Sequence, residues 1–247
     1  MSIIKIGLSG ANGRMGRAIQ NLLLDKTDKF ELTAKITSSS SELDLSKACL
    51  DSDIIIDFSS SAILPSLVKA AAQHGAKLVV GTTGHAQSHF ADLKDLAKTN
   101  AILYASNTSI GANLIAMLAA KSAKILKGYD VEIIEAHHKH KKDAPSGTAL
   151  MIGQKIADAM NINFKDNAVF DRASKGKRID GEIGFASIRG GGIFGENEIM
   201  FAADDELVSI SCRALSRDAF ASGALIAAEW LSAQKAGFYS MEDVLEF

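Results

Sequence analysis

The sequence predicts an α/β protein: a doubly wound parallel sheet followed by a second α+β domain with a mixed or antiparallel sheet. Three observations carry this reading. Short, nearly all-apolar runs alternate with amphipathic stretches through the first hundred or so residues, as strands covered on both faces by crossover helices do. A glycine-rich turn separates the first such run from the first amphipathic stretch. From Glu182 onward, three alternating segments follow one another without a helix between them, which calls for antiparallel or mixed pairing. At 247 residues, one large domain or two modest ones both leave room for a real core.

Taken in order, Ile3 to Leu8 reads as a buried strand, and Gly10-Ala11-Asn12-Gly13-Arg14-Met15-Gly16 follows it directly. Glycines three residues apart permit a tight turn and close backbone approach, and the amphipathic Arg14 to Leu24 then offers a helix N-terminus to a pyrophosphate. The pattern is G-x-x-G-x-x-G rather than G-x-G-x-x-G, so its weight comes from its place between a strand and a helix. Phe30 to Ile36 predicts the second strand. The run after it, Thr37-Ser38-Ser39-Ser40-Ser41, has no carboxylate until Glu42. An NAD-selective site normally places an acidic group there. Either these hydroxyls admit NADPH at least as well as NADH, or the serines form a flexible loop that touches nothing.

Asp53 to Phe58 predicts the third strand, and Ser59-Ser60-Ser61 with Pro65 opens a helix to about His74. Lys77 to Val80 predicts the fourth strand, ending in Gly81-Thr82-Thr83-Gly84. A helix from about Ala86 to Lys98 and a fifth strand, Ala101 to Tyr104, complete the alternation. The loops after the first, fourth and fifth strands, the last being Ala105-Ser106-Asn107-Thr108, all fall on the carboxyl edge. Such sheets bind their ligands there. The first domain is therefore a Rossmann-like dinucleotide-binding domain over 1–109. A long helix from Gly111 to Lys127 crosses into the second domain, 110–217. There a strand from Tyr129 to Ile134 and a helix from Ser146 to Met160 precede three strands: Glu182 to Ile188, Ile193 to Phe201 and Glu206 to Arg213. A last helix, Asp218 to Gln234, returns 218–247 to the first domain.

A net charge of −2 argues against a dedicated nucleic-acid binder. Cys49 and Cys212 lie far apart with no metal-ligand spacing, which suits a reduced, intracellular pair. The opening Met1-Ser2-Ile3-Ile4-Lys5-Ile6 has no leader features, and no apolar run is long enough to cross a bilayer. A cytoplasmic protein is expected.

The most chemically loaded stretch is Glu135-Ala136-His137-His138-Lys139-His140-Lys141-Lys142-Asp143-Ala144-Pro145-Ser146-Gly147-Thr148-Ala149, with three histidines and three lysines in six positions. Three readings compete. A metal site is opposed by the lysines and by strand alternation, which would turn His137 and His138 to opposite faces. A solvated basic surface lacks interleaved aromatics. The third is a proton-transfer and anion site. Clustered positive charge lowers a lysine's pKa, imidazole is poised near neutrality, and the turn into a helix at Ser146-Gly147-Thr148 presents amides and hydroxyls to a carboxylate. With a nicotinamide cleft, this describes a reductase for a small polyanionic acid.

That fifteen-residue stretch resembles the signature of the 4-hydroxy-tetrahydrodipicolinate reductase (dihydrodipicolinate reductase) family. Further matches are the Gly10 to Gly16 loop, Gly81-Thr82-Thr83-Gly84, Ser106-Asn107 with Ser109-Ile110-Gly111, Arg189-Gly190-Gly191, and Ser216-Arg217 with Phe220-Ala221-Ser222-Gly223-Ala224. The resemblance implies reduction of a cyclic imino dicarboxylate by NADH or NADPH, in the diaminopimelate route to lysine. Hydride reaches C4, the 4-hydroxyl leaves as water, and the neighbouring ring carbon takes a proton. It implies His137 as general acid/base, Lys141 as proton donor, and His138, Ser146, Gly147 and Thr148 as holders of substrate carboxylates. Gly10, Ala11, Asn12, Gly13, Arg14, Met15, Gly81, Thr82, Thr83, Ala105, Ser106, Asn107 and Thr108 would line the dinucleotide. A homotetramer joined through the second domain's sheet, with hinge closure on ligands, is implied as well. Thr108 departs from the larger, often aromatic residue of many members. The serine run departs from members that read the ribose with acidic or arginine side chains, so cofactor preference is not implied.

Overall fold

The structure is a computed structural model that describes residues 3–246. Met1 and Ser2, which begin the stretch read as leaderless, and Phe247 lie outside the described residues. In chain order the elements are β1 (Ile4–Ser9), α1 (Arg14–Leu24), β2 (Phe30–Ile36), α2 (Glu42–Asp51), β3 (Ile54–Asp57), a 3-10 turn (Ser61–Ile63), α3 (Leu64–His74), β4 (Lys77–Val80), α4 (Gln87–Leu96), β5 (Ala101–Tyr104) and α5 (Ile110–Ile125). Then come β6 (Asp130–His137), α6 (Gly147–Met160), α7 (Phe164–Asn167), β7 (Ala168–Val169), α8 (Arg172–Lys175), β8 (Ile183–Arg189), β9 (Gly195–Ala202), β10 (Leu207–Ala214), α9 (Asp218–Ser232), β11 (Gly237–Tyr239) and α10 (Met241–Leu245). The chain forms two compact units, Met1–Ile110 with Arg217–Phe247, and Gly111–Ser216.

The first unit is built on a parallel sheet of order β11-β5-β4-β3-β1-β2. Alternation along the strands loads both faces. Ile6, Leu8, Ile54 and Ile56 pack under α1 and α9 with Ile19, Leu23, Leu225 and Leu231. Ile55, Leu78, Val80 and Ile102 pack with Leu45, Leu64, Leu67, Leu93 and Leu96 of α2, α3 and α4. Each fully buried aliphatic side chain is worth about 1.5–3 kcal/mol. The crossovers diverge between β1 and β3, which sets a switch point at their carboxyl ends.

The second unit is a mixed sheet of order β10-β9-β6-β8-β7, in which β6 runs parallel to β8 and antiparallel to β9. Ile115 and Ala119 of α5 and Ile152 and Ile156 of α6 cover one face through Val131, Ile133, Phe185, Ile199 and Phe201. The tight approach of α6 needs Gly153, where a Cβ would come within 2.5 Å of the Phe185 ring.

Several elements differ from expectation. The serine run ends in a helix, α2, that the sequence reading passed over. Ser41 accepts the Asp44 N–H while the Asp44 carboxylate accepts the Ser41 N–H, a full capping box. Strand β6 does not stop at Ile134 but runs to His137, because its ladder with β8 continues to the His137–Arg189 pair. The short elements α7, β7 and α8, and the closing β11 and α10, were also not anticipated. Strand β11 pairs with β5, and α10 has its own capping box from Ser240 and Asp243.

Candidate active site

In the first unit, the β1–α1 turn is shaped for a bound group rather than for packing. Gly10 has φ +82°, and a Cβ there would lie 2.2 Å from the Phe58 carbonyl oxygen. At Gly16 a Cβ would lie 2.3 Å from the Gly10 oxygen. Gly13 caps α1 with extended backbone and no side-chain hydrogen bond, so the helix N-terminus keeps donors for an anion. Asn12, Gly13 and Arg14 are exposed, Met15 is half-buried and Ala11 is buried. A cavity of about 520 Å³ opens here, lined by Gly10, Asn12, Gly13, Thr37, Ser38, Ser40, Phe58, Ser59, Ser60, Ala62 and Ile63. The serine loop is therefore part of a wall. The Thr37 N–H donates to Ser40 Oγ at 3.0 Å, and Thr37, Ser38 and Ser40 form a wall. Phe58, Ser59 and Ser60 are wall residues that the sequence reading places only at the end of a strand and the start of a helix; their place after a third, nearly all-apolar strand is the available signal.

The loops after β4 and β5 lie on the same carboxyl edge but do not line this cavity. Thr82 is buried and donates its hydroxyl to Asp57 Oδ2 at 2.6 Å, while accepting the Ser59 N–H at 2.9 Å. Asp57 is fully buried and takes a second hydroxyl proton, from Ser59 at 2.5 Å. Gly81 sits against the Phe58 ring, leaving 2.3 Å for any Cβ. Thr83 and Ser106 are exposed, and Ala105 is buried. Asn107 turns its Oδ1 onto the Ser109 N–H at 2.8 Å. Thr108 is buried with its hydroxyl on the Phe220 carbonyl at 2.7 Å, so its side chain serves the start of α9.

In the second unit, the fifteen-residue stretch begins on β6 and ends in α6. Alternation puts Glu135 and His137 on the same face, and the carboxylate reaches His137 Nδ1 at 2.6 Å. Glu135 is 1% exposed. Its oxygens also accept Arg189 Nη1 at 2.8 Å, Arg189 Nη2 at 2.6 Å and the Ser146 N–H at 3.2 Å. Burial pushes the Glu135 carboxyl upward, but hydrogen bonds from Arg189, Ser187 and His137 outweigh it and hold the group below its ordinary value. Burial pushes His137 below the usual imidazole value. Glu135 pulls it back in part, and the charges of Lys141 and Arg189 add to the lowering. The ring is thus neutral near pH 7 and ready to take a proton.

Lys141 has an acidic neighbour that the basic run alone does not suggest. Its ammonium lies 2.8 Å from Asp143 Oδ2, because the loop turns back after the Lys141 N–H bonds the His138 carbonyl. His138 is half-buried, and its Nδ1 is enclosed without a protein partner. Ser146 is the N-cap of α6, its Oγ accepting the Ala149 N–H at 3.2 Å. The residue is buried, 1% exposed. Space beside Gly147 is open, and Thr148 is half-buried on the first turn. His140 and Lys142 are outward-facing. Sequence reasoning gave no role to Glu135 or Arg189, although both stood in quoted motifs. Among the described residues, no cluster of three or more His, Cys, Asp and Glu is placed to hold a metal. None of the described helices is long and apolar enough to cross a membrane.

A glycine-walled cleft at the switch point of a parallel sheet, in one chain with a histidine–lysine turn on a second sheet, defines a nicotinamide-dependent oxidoreductase. Residues 4–108 match the family model for the N-terminus of dihydrodipicolinate reductase, and residues 111–245 match the one for its C-terminus. The 4-hydroxy-tetrahydrodipicolinate reductase of Rickettsia bellii is 46% identical over 98% of this chain and 94% of its own length. That of Zymomonas mobilis is 41% identical over 99% and 98%. A dipicolinate-bound dihydrodipicolinate reductase from a Paenisporosarcina species shares the fold, with TM-score 0.74 and 22% identity over 98% of this chain and 99% of that one. A C. glutamicum DAP dehydrogenase in complex with DAP is more distant, with TM-score 0.59 and 14% identity over 100% and 94%. The chain belongs to the dihydrodipicolinate reductase family.

Proposed function

We propose that this protein reduces 4-hydroxy-tetrahydrodipicolinate to tetrahydrodipicolinate with loss of water, using NADH or NADPH, as a cytoplasmic homotetramer in lysine biosynthesis by the diaminopimelate route. The observation that carries the reading is the 46% identity, over nearly the whole of both chains, to a 4-hydroxy-tetrahydrodipicolinate reductase. Residues 1–109 with 218–247 are the dinucleotide-binding domain. Residues 110–217 are the substrate-binding and oligomerisation domain.

The residues present fit a dinucleotide, since Gly10 and Gly16 leave no room for side chains and Gly13 leaves the α1 amides uncapped. Gly10 to Met15, Gly81 to Thr83 and Ala105 to Thr108 hold it, with Thr82 and Thr108 shaping their loops from within. Bound reduced nicotinamide supplies the hydride for C4 of the conjugated imine. Neutral His137 is the general acid/base, with Nε2 free to accept because Nδ1 faces a carboxylate. Lys141, whose Nζ lies 2.8 Å from Asp143 Oδ2, gives the proton that the neighbouring ring carbon takes. The enclosed His138 Nδ1, the Ser146 hydroxyl and the Gly147 and Thr148 amides receive the substrate carboxylates at a helix N-terminus, which favours anions. An oligomer finds support in the sheet face opposite α5 and α6, where Ile188 is 50% and Leu207 57% exposed. Two unpaired cysteines suit a reducing compartment.

The test follows nicotinamide absorbance with enzymatically generated 4-hydroxy-tetrahydrodipicolinate. Wild type turns it over, and Lys141→Ala loses about 10²-fold or more in kcat with cofactor affinity kept. No turnover by wild type sinks the assignment; an unchanged kcat in the variant moves the proton donor elsewhere.

A further inference from the structure

We propose that Glu135 and Arg189 form a positioning clamp that fixes which nitrogen of His137 carries its proton and anchors the Lys141 loop to the same guanidinium. The clamp deepens the reductase reading above and rests on it for its catalytic consequence.

The bonding is complete at the terminal nitrogens of Arg189. Nη1 donates to Glu135 Oε2 at 2.8 Å and to the Ile188 carbonyl at 2.7 Å. Nη2 donates to Glu135 Oε1 and to the Asp143 carbonyl, each at 2.6 Å. A planar fork is needed for this pattern, and a lysine cannot reproduce it. The β6–β8 register makes it possible by pairing His137 with Arg189, while the Gly190 N–H closes onto the His137 carbonyl at 3.0 Å. One guanidinium therefore holds the carboxylate behind His137 and the backbone of Asp143, whose own carboxylate meets Lys141 at 2.8 Å.

An ionised carboxylate only accepts, so Nδ1 of His137 must bear the hydrogen in the 2.6 Å contact. In the neutral ring Nε2 is then a bare acceptor. The neighbouring strand keeps it uncovered: a Cβ at Gly195 would lie 3.2 Å from Nε2. Loss of the 4-hydroxyl as water carries a proton from the neighbouring ring carbon to the leaving oxygen, and that carbon takes a proton again once hydride has reached C4. The clamp presents His137 as the acceptor that relays the first proton and Lys141 as the donor of the second. Glu135, Lys141 and Arg189 are the charged groups that act on the ring, and of these only Glu135 favours its protonated form.

The direct test is a long-range ¹H–¹⁵N imidazole spectrum of histidine-labelled protein, with His137 assigned through His137→Gln. Wild type shows the neutral Nδ1–H form at His137, whereas Glu135→Gln loses it. In turnover, Glu135→Gln lowers kcat about 10²-fold or more, shifts the acid limb of the kcat profile to lower pH, and leaves the KM for nicotinamide cofactor within about twofold. Arg189→Lys loses about tenfold or more in kcat, with Nδ1–H no longer dominant. An Nε2–H tautomer in wild type overturns the clamp, as does a Glu135→Gln enzyme with wild-type kcat and pH profile. The wild-type spectrum needs neither variant folding nor substrate, so absent turnover condemns the reductase assignment while the tautomer still judges the clamp.

Discussion

Asp57 takes hydroxyl protons on both oxygens while fully buried, and so ties the loop after β3 to the loop after β4. Replacing it by Ala leaves two hydroxyls to find other partners beside the cavity that Phe58, Ser59 and Ser60 line. We expect Asp57→Ala to lower stability by about 1–3 kcal/mol and to raise the cofactor Kd more than the substrate KM, as read by cofactor fluorescence titration. The Glu135–Arg189 pair is a heavier investment in the second unit. Removing one partner of such a buried pair costs about 3–5 kcal/mol, so Arg189→Met should melt well below Arg189→Lys in a thermal scan. Cys49 is the quiet counterexample. Burial lifts its thiol to about 11, so we expect thiol reagents at neutral pH to modify it only at the rate of unfolding, measured by intact-mass labelling.

At the scale of elements, the β1–α1 turn and the serine loop make different predictions. Gly16→Ala drives a methyl into the Gly10 carbonyl, so it should weaken cofactor binding at least tenfold and lower the melting temperature together. The serine loop walls the cavity with hydroxyls, and among the described residues lining that cavity there is no carboxylate. We therefore expect kcat/KM with NADPH to equal or exceed that with NADH; a strong NADH preference refutes this. Most elements were legible because the central strands β1, β3, β4 and β5 are short, largely apolar runs and the helices between them mostly show a polar and an apolar face. Helix α2 is equally legible in the Ser41–Asp44 capping box, which the serine run before it obscures. The clamp was not legible. Glu135 and Arg189 are 54 residues apart, and only the β6–β8 register brings them together. The compensation of Lys141 by Asp143 was hidden similarly, since a dense basic run read as a string suggests repulsion until the loop folds an acid back on it.

For the whole molecule, the shifted histidines and carboxylates push in one direction. His137 and His85 are held below the imidazole value of 6.5, chiefly by burial. Glu135 is held below 4.5 and Asp143 below 3.8, by hydrogen bonds that outweigh burial. A depressed folded-state pKa means that the unfolded chain binds the proton first, so the stability is intact above the unfolded value and drains as pH falls towards the folded one. The melting temperature should begin to fall as pH drops through about 6.5, and fall again below about 4.5. His137→Gln should blunt the first decline and leave the second, by calorimetry across pH.

The excursion of the chain out of the first unit has a topological consequence. The backbone departs after Ile110 and re-enters at Arg217, yet Thr108 donates to the Phe220 carbonyl at 2.7 Å, and a Cβ at Gly223 would overlap the Thr108 oxygen. Exit and entry are stitched side by side within one unit. Inserting roughly a hundred residues there adds only the slow logarithmic penalty of closing a longer loop, because native contacts already hold its mouth shut. The same stitch marks where the gene can be cut and rejoined. A chain with 110 linked to 217 through a few glycines should fold and retain cofactor, whereas Gly223→Val should unpick the seam in the intact protein.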